Sequence, residues 1–243
     1  VSIYRVNELK LFQKDIRSYQ RVSTVLENLC VFCASFYNKK MRVKYRKMEI
    51  NSNFYSDKIS NPSELHSYDK IFSSDFKSIP TTSGIYSWYF KTIPPHLLLH
   101  SGINKCHKYE DKALLYIGKA NNLRTRIKNH TGYFPEGKFY PDVNNASRST
   151  LRLSLGVLLF GEKYPLKTGK DGRVTFCKEG ELKLNEWMSD NASVVFIETN
   201  SEETIKIEDL LINSFFTPLN NQHNKDLEKL RTVKKKEAKT KNC

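Results

Sequence analysis

The stretch that decides the fold is "LLYIGKANNLRTRIKNH", Leu114 to His130. It opens as an apolar run of strand length, turns at Gly118-Lys119 and the Asn121-Asn122 pair, and continues as a helix from Leu123. On a wheel at 100° per residue, Leu123, Ile127 and His130 fall within about 60° of one another, with Arg126 beside them, while Arg124 and Lys128 point well away. Arg126 and His130 therefore border the buried face, one turn apart. Like charges at that spacing repel by roughly a few tenths of a kcal/mol, so the arrangement asks for something anionic between them.

Outward from this unit, the upstream run "GIYSWYF" from Gly84 reads as a partner strand, joined to it by the long connection "KTIPPHLLLHSGINKCHKYEDKA". Further upstream, residues 51 to 80 are rich in Ser, Asn, Asp and Pro and read as a linker with one short helix. Residues 1 to about 48 carry Val22, Val25, Leu29, Phe32 and Phe36 at helical spacing and end in "KKMRVKYRK". Lys44 and Arg46 in that run are candidate phosphate contacts; a solvated helix end is the other reading. Downstream come a Gly-, Pro- and Asn-rich loop from Gly132 to about Ser147 and the helix "STLRLSLGVLL" with Ser149 as N-cap. A hairpin around "GKDGRVTF", a short helix "ELKLNEWMSD", a strand "ASVVFIET" and a helix beginning at Asn200, with Glu203 three residues on as a capping box, complete the pattern. The lysine-rich segment 222–243 reads as a disordered tail.

With 243 residues the chain can bury a sizeable core, and 39% hydrophobic content is that of a globular protein. The 40 Lys and Arg against 26 Asp and Glu leave a net charge of +14, a field that attracts polyanions. Nucleic acid is the partner that charge favours, and its phosphate is the anion expected between Arg126 and His130. A membrane is disfavoured, because the apolar runs fall well short of the roughly 18 residues a span needs. With no signal-like segment at the amino end, a cytoplasmic location is expected. Cys30 and Cys33 form a C-x-x-C and Cys106 precedes His107, but without a second C-x-x-C the pair reads better as core residues than as a zinc site.

The helix after "ASVVFIET" holds the second charged residue that a core would not choose. Ile205, Ile207, Leu211, Ile212 and Phe215 make an apolar arc, and Glu208 falls between Phe215 and Ile212 on it. A carboxylate there must be paired or metal-bound, since an isolated buried charge costs several kcal/mol.

"GIY" at Gly84–Tyr86, "YIG" at Tyr116–Gly118, "RIKNH" with Arg126 and His130, Glu208 on a helix, and "PLN" ending at Asn220 come in the order and approximate spacing of the GIY-YIG nuclease superfamily. Over roughly Thr81 to Asn221 the chain resembles a bacterial group of stand-alone GIY-YIG proteins. The long insert between the tyrosine strands and the loop after His130 depart from the family pattern. The resemblance implies an α+β fold: a small antiparallel three-stranded sheet flanked by helices over residues 79–221, with a helical basic N-terminal extension and linker over 1–78 and the tail over 222–243.

The resemblance also implies a metal-dependent endonuclease that hydrolyses phosphodiester bonds of DNA. Glu208 would hold Mg²⁺ or Mn²⁺, with waters and the scissile phosphate completing a sparse shell. Tyr86 would activate water with help from Tyr116 and His130, because a phenol near pKa 10 is a poor base alone. Arg126 would neutralise charge on the phosphoryl oxygens, Asn220 would buttress the site, and Lys119 and Arg152 would contact phosphates. A homodimer would suit symmetric double-strand cleavage, although no heptad or isologous patch is legible. Two alternatives stand beside this: a non-catalytic nucleic-acid-binding module on the same fold, and a PD-(D/E)xK nuclease built from Asp142, Glu181 and Lys183.

Overall fold

The computed structural model describes residues 51–100, 102–132, 145–160, 163–169 and 171–238, within a compact unit that begins at Asn51. The helical expectation for residues 1–48, with Lys44, Arg46, Cys30 and Cys33, lies outside the described residues, as does Asp142.

The aromatic run becomes β2 (Gly84–Phe90), every residue of which is buried. That continuous burial follows from a central position with both faces covered. β2 pairs antiparallel with β4 (Lys112–Ala120) on one side and β7 (Ala192–Glu198) on the other. These are the three expected strands. The sheet nevertheless has five, in the order β1-β7-β2-β4-β3, because the two-residue strands β1 (His66–Ser67) and β3 (Lys108–Tyr109) add an edge on each side. Two residues cannot display a period-two pattern, so neither edge was legible. The expected hairpin forms a separate two-stranded sheet, β5 (Leu166–Thr168) with β6 (Val174–Phe176).

Helices cover both faces. On one, α7 (Ser201–Ser214) packs on β4 and β2, and α1 (Ser52–Ser60) packs against both α7 and β7. Ile59, Ile85, Ile117, Ile207 and Leu211 are buried there. The larger core, on the opposite face, gathers Tyr86, Trp88, Phe90 and Tyr116 with α4 (Leu123–Thr131), α5 (Thr150–Phe160) and α6 (Lys178–Asn191).

Both segments read as lacking tertiary structure belong to this unit. Residues 51–79 form α1, β1 and α2 (Tyr68–Ser73), and bury Ile59, Tyr68, Ile71, Phe76 and Ile79. Each such side chain contributes about 1.5–3 kcal/mol, more than a linker of this polarity announces. The short helix α3 (Pro95–Leu98) lies in the long connection after β2. The presumed tail forms α8 (Lys225–Ala238), which packs on α5 and β5. Asn224 caps its start by accepting from the Leu227 N–H at 2.8 Å, and Leu227 is 2% exposed. The lysines masked the i, i+3 pair Leu227 and Leu230 that anchors the helix.

Candidate active site

The register of β2 against β4 places Tyr86 opposite Gly118 and Trp88 opposite Tyr116, so both tyrosines project from the same face. Their rings lie 6.2 Å apart. Gly118 is what allows this: a Cβ there would sit 2.5 Å from the Tyr86 hydroxyl and 2.9 Å from the Tyr116 ring. Gly84 does the same for the helix behind, since its Cβ would meet Ile197 O at 2.3 Å and Leu123 Cδ1 at 2.6 Å.

α4 then brings its charged edge over these rings. Asn122 caps its start by accepting from the Thr125 N–H, and Gly132, at φ +72°, ends it in the left-handed conformation. Arg126 Nε donates to the Tyr86 hydroxyl at 3.1 Å, and His130 Nε2 meets the same hydroxyl at 2.8 Å. The anion expected between Arg126 and His130 is therefore replaced by a phenol. The repulsion is also absent, because burial, helped by the Arg126 and Arg152 charges, drives the His130 pKa well below its usual value. A neutral imidazole costs its neighbour nothing.

His130 Nδ1 lies 2.6 Å from Ser149 Oγ, which also accepts from the Arg152 N–H at 3.0 Å. Ser149 is thus both the expected N-cap of α5 and the partner that orients the His130 ring. Only the first role had a sequence signal. Burial raises Tyr86 well above the ordinary phenol value, with Tyr116 adding to the rise and Arg126 opposing it. Burial likewise raises Tyr116. Tyr86 and His130 are fully buried, and Tyr116 is 9% exposed.

Glu208, on α7, is paired with Lys119 of β4, its Oε2 2.5 Å from Nζ. Its charge also raises the Tyr116 pKa, which puts it within electrostatic reach of that phenol. Glu208 comes from the helix on the far face of the sheet, and among the described residues it acts on the cluster through its charge rather than by a hydrogen bond to any member of it. Asn220 is tied to β4 directly: its Nδ2 donates to Ile117 O at 2.8 Å and its Oδ1 accepts from the Ile117 N–H at 3.0 Å. It holds the "YIG" strand by both backbone groups of its central residue.

Arg152 is not a phosphate contact. It is wholly buried and donates through Nη2 to Glu181 Oε2 at 2.7 Å, with Nη1 reaching His130 O at 3.4 Å. Its partner lies 29 residues away, beyond the reach of any local pattern. The same pairing removes the PD-(D/E)xK alternative. Glu181 is fully buried and accepts from Arg152, Thr175, and the Ala146 and Phe176 N–H groups, while Lys183 is on the surface with Glu186.

The chain belongs to the GIY-YIG family: the model of the GIY-YIG catalytic domain matches residues 84–241, which includes α8. This is a family of nucleases. No curated protein sequence and no solved structure gives a significant match to the chain. Among the described residues, no helix is long and apolar enough to cross a membrane.

The buried histidine has a measurable consequence. Its folded pKa is depressed, so below the unfolded value near 6.5 the unfolded chain takes up a proton that the native state refuses. Stability is then lost as the pH falls below about 6.5. Between pH 7.5 and 5.5 the loss from this group is about 1.4 kcal/mol. Urea denaturation of the wild type and His130→Gln at both pH values checks this, since only the wild type carries that increment; equal pH dependence in the two would show that His130 takes up its proton in the fold as readily as in the unfolded chain.

Proposed function

We propose that the protein is a divalent-metal-dependent endonuclease that hydrolyses phosphodiester bonds of DNA at the Tyr86–Tyr116–Arg126–His130 cluster. The observation that carries this reading is the shared hydroxyl: one phenol oxygen contacted by a guanidinium and by an imidazole kept neutral by burial. A core tyrosine needs one polar partner, and two on this oxygen make a proton path.

The raised Tyr86 pKa and depressed His130 pKa make a standing phenolate–imidazolium pair costly. The relay is therefore concerted. As water attacks phosphorus, its proton passes to the Tyr86 oxygen while the Tyr86 proton passes to His130 Nε2, with His130 Nδ1–H donating to Ser149. The P–O bond to the leaving nucleotide oxygen breaks in the same displacement; that oxygen departs with the bonding electron pair and takes its proton from solvent, and His130 returns the proton it gained to solvent when the site reopens. Because Tyr86 is closed to solvent, Arg126 first exchanges its contact with the phenol for the scissile phosphate, which opens the hydroxyl and neutralises charge on the phosphoryl oxygens.

Glu208 is the residue that would hold Mg²⁺ or Mn²⁺. Its carboxylate is held by a lysine whose side chain is 38% exposed and able to leave it for a phosphate. Among the described residues there is no group of three His, Cys, Asp or Glu side chains, so the shell fits an ion that keeps most of its waters and takes substrate oxygens. A bound ion there would supply Lewis-acid stabilisation of the phosphoryl charge.

The test is nicking and linearisation of supercoiled plasmid with Mg²⁺, with EDTA, and with Glu208→Ala. Cleavage is expected only for the wild type with metal. DNA binding without metal-dependent cleavage would select a non-catalytic module, and cleavage surviving Glu208→Ala would place the metal elsewhere.

A further inference from the structure

Beside the tyrosine cluster lies a cavity of about 800 Å³ into which Arg126, Arg148, Arg173, Arg231 and Lys236 all face. They come from four elements: α4, the short 3-10 helix Ala146–Arg148, the β5–β6 turn, and α8. Among the described lining residues there is no carboxylate and no aromatic ring. Arg173 approaches Asp171 at 3.6 Å, but among the described residues no ion pair joins Arg126, Arg148, Arg231 or Lys236 to a carboxylate. Five converging cations, offset among the described residues only by Asp171 beside Arg173 and by the charge of Glu228 acting on Arg231, are unfavourable together unless a polyanion fills the space.

Arg231 is the most telling of the five. Its Nη1 donates to Asn221 Oδ1 at 2.7 Å, next to the Asn220 that clamps Ile117, while its buried Nε has no acceptor. It also lies within electrostatic reach of the Tyr116 phenol. One wall of the cavity is Arg126 itself, which joins this space to the reacting cluster.

We infer that this cavity seats the phosphodiester backbone of DNA next to the scissile phosphate, gripped by Arg148 from the 3-10 helix and by Arg231 from α8. The inference rests on the nuclease reading of the adjoining cluster. The cations that line it suit phosphate rather than base edges, and contacts of that kind position a backbone without reading its sequence. It also gives α8 a task, that of carrying a cation to the site from beyond the last of the family motifs, at Asn220.

The experiment is fluorescence anisotropy of the full chain with a labelled DNA oligonucleotide in EDTA, over a salt series, for wild type, Arg148→Ala, Arg231→Gln and the pair. Arg148 is exposed and its side chain supports no other group, so Arg148→Ala tests the cavity without risk to the fold. Lys70→Ala is the control, since Lys70 pairs with Glu64 away from the cavity. The slope of log K against log salt is expected to shrink by roughly 0.7–0.9 for each variant and by about twice that for the pair, with the control unchanged. Unchanged slopes in Arg148→Ala and the pair, or weaker binding at constant slope, would overturn the inference. Plasmid cleavage separates the two readings. Metal-dependent cleavage by a wild type whose slopes do not respond leaves the nuclease standing and removes the cavity. Responsive slopes without cleavage by any metal do the reverse.

Discussion

Tyr86→Phe is expected to lower the rate of plasmid cleavage by about 10²–10⁴-fold, the range for loss of a positioned proton-transfer group. The ring remains, so the packing against Gly118 and Tyr116 is kept and only the oxygen shared by Arg126 and His130 disappears. The variant leaves His130 Nε2 in a dry site without its partner, at a stability cost of about 1–3 kcal/mol. A thermal melt should therefore show a folded protein with a modestly lowered midpoint. Single-turnover cleavage at saturating metal is the decisive measurement, because it removes product release from the rate. Wild-type turnover by a folded Tyr86→Phe protein would take the phenol out of the chemistry and leave Tyr116 or a metal-bound group to do its work.

The largest effect on stability is expected at Glu181. Its carboxylate is fully buried and takes four donors, from Arg152, Thr175 and the backbones of Ala146 and Phe176, so it ties α6 to α5, β6 and the 3-10 helix at once. Glu181→Ala strands the Arg152 guanidinium without a counter-charge, which costs about 3–5 kcal/mol. For a domain of this size each kcal/mol lowers the melting midpoint by roughly 2–4 °C, and total stabilities of about 5–15 kcal/mol leave little reserve. Replacing both partners, Glu181→Leu with Arg152→Met, should recover much of the loss, because no buried charge is then left alone. Denaturation curves of the two variants settle it. A Glu181→Ala midpoint within a degree or two of the wild type would mean the pair is hydrated in solution. The same change should also slow cleavage, since Arg152 Nη1 contacts the carbonyl of His130 and its N–H contacts Ser149.

How much of this was legible depended on the range of the interaction. The strands "GIYSWYF" and "LLYIGKA" announced themselves through composition and length, and α4 through its wheel and its Asn122 and Gly132 ends. Ser149 was visible as a helix cap and Glu208 as a misplaced carboxylate. Residues 51–79 and 225–238 were misread for a common reason: their few apolar anchors, such as Ile71 and Leu227, are diluted by polar neighbours. Edge strands of two residues fell below any pattern.

From order and spacing alone came the family motifs and the side of α4 on which Arg126 and His130 stand, because motif, helical period and capping are local properties of a chain. Partnership belonged to the tertiary structure. Whether an arginine meets DNA or a buried glutamate, whether a histidine is charged, and whether a lysine-rich end floats or docks depend on groups tens of residues distant. Arg152 with Glu181 and His130 with Ser149 came together only when the sheet and its helices enclosed them. Burial sets the protonation and pairing of such groups, and burial is a property of the folded whole.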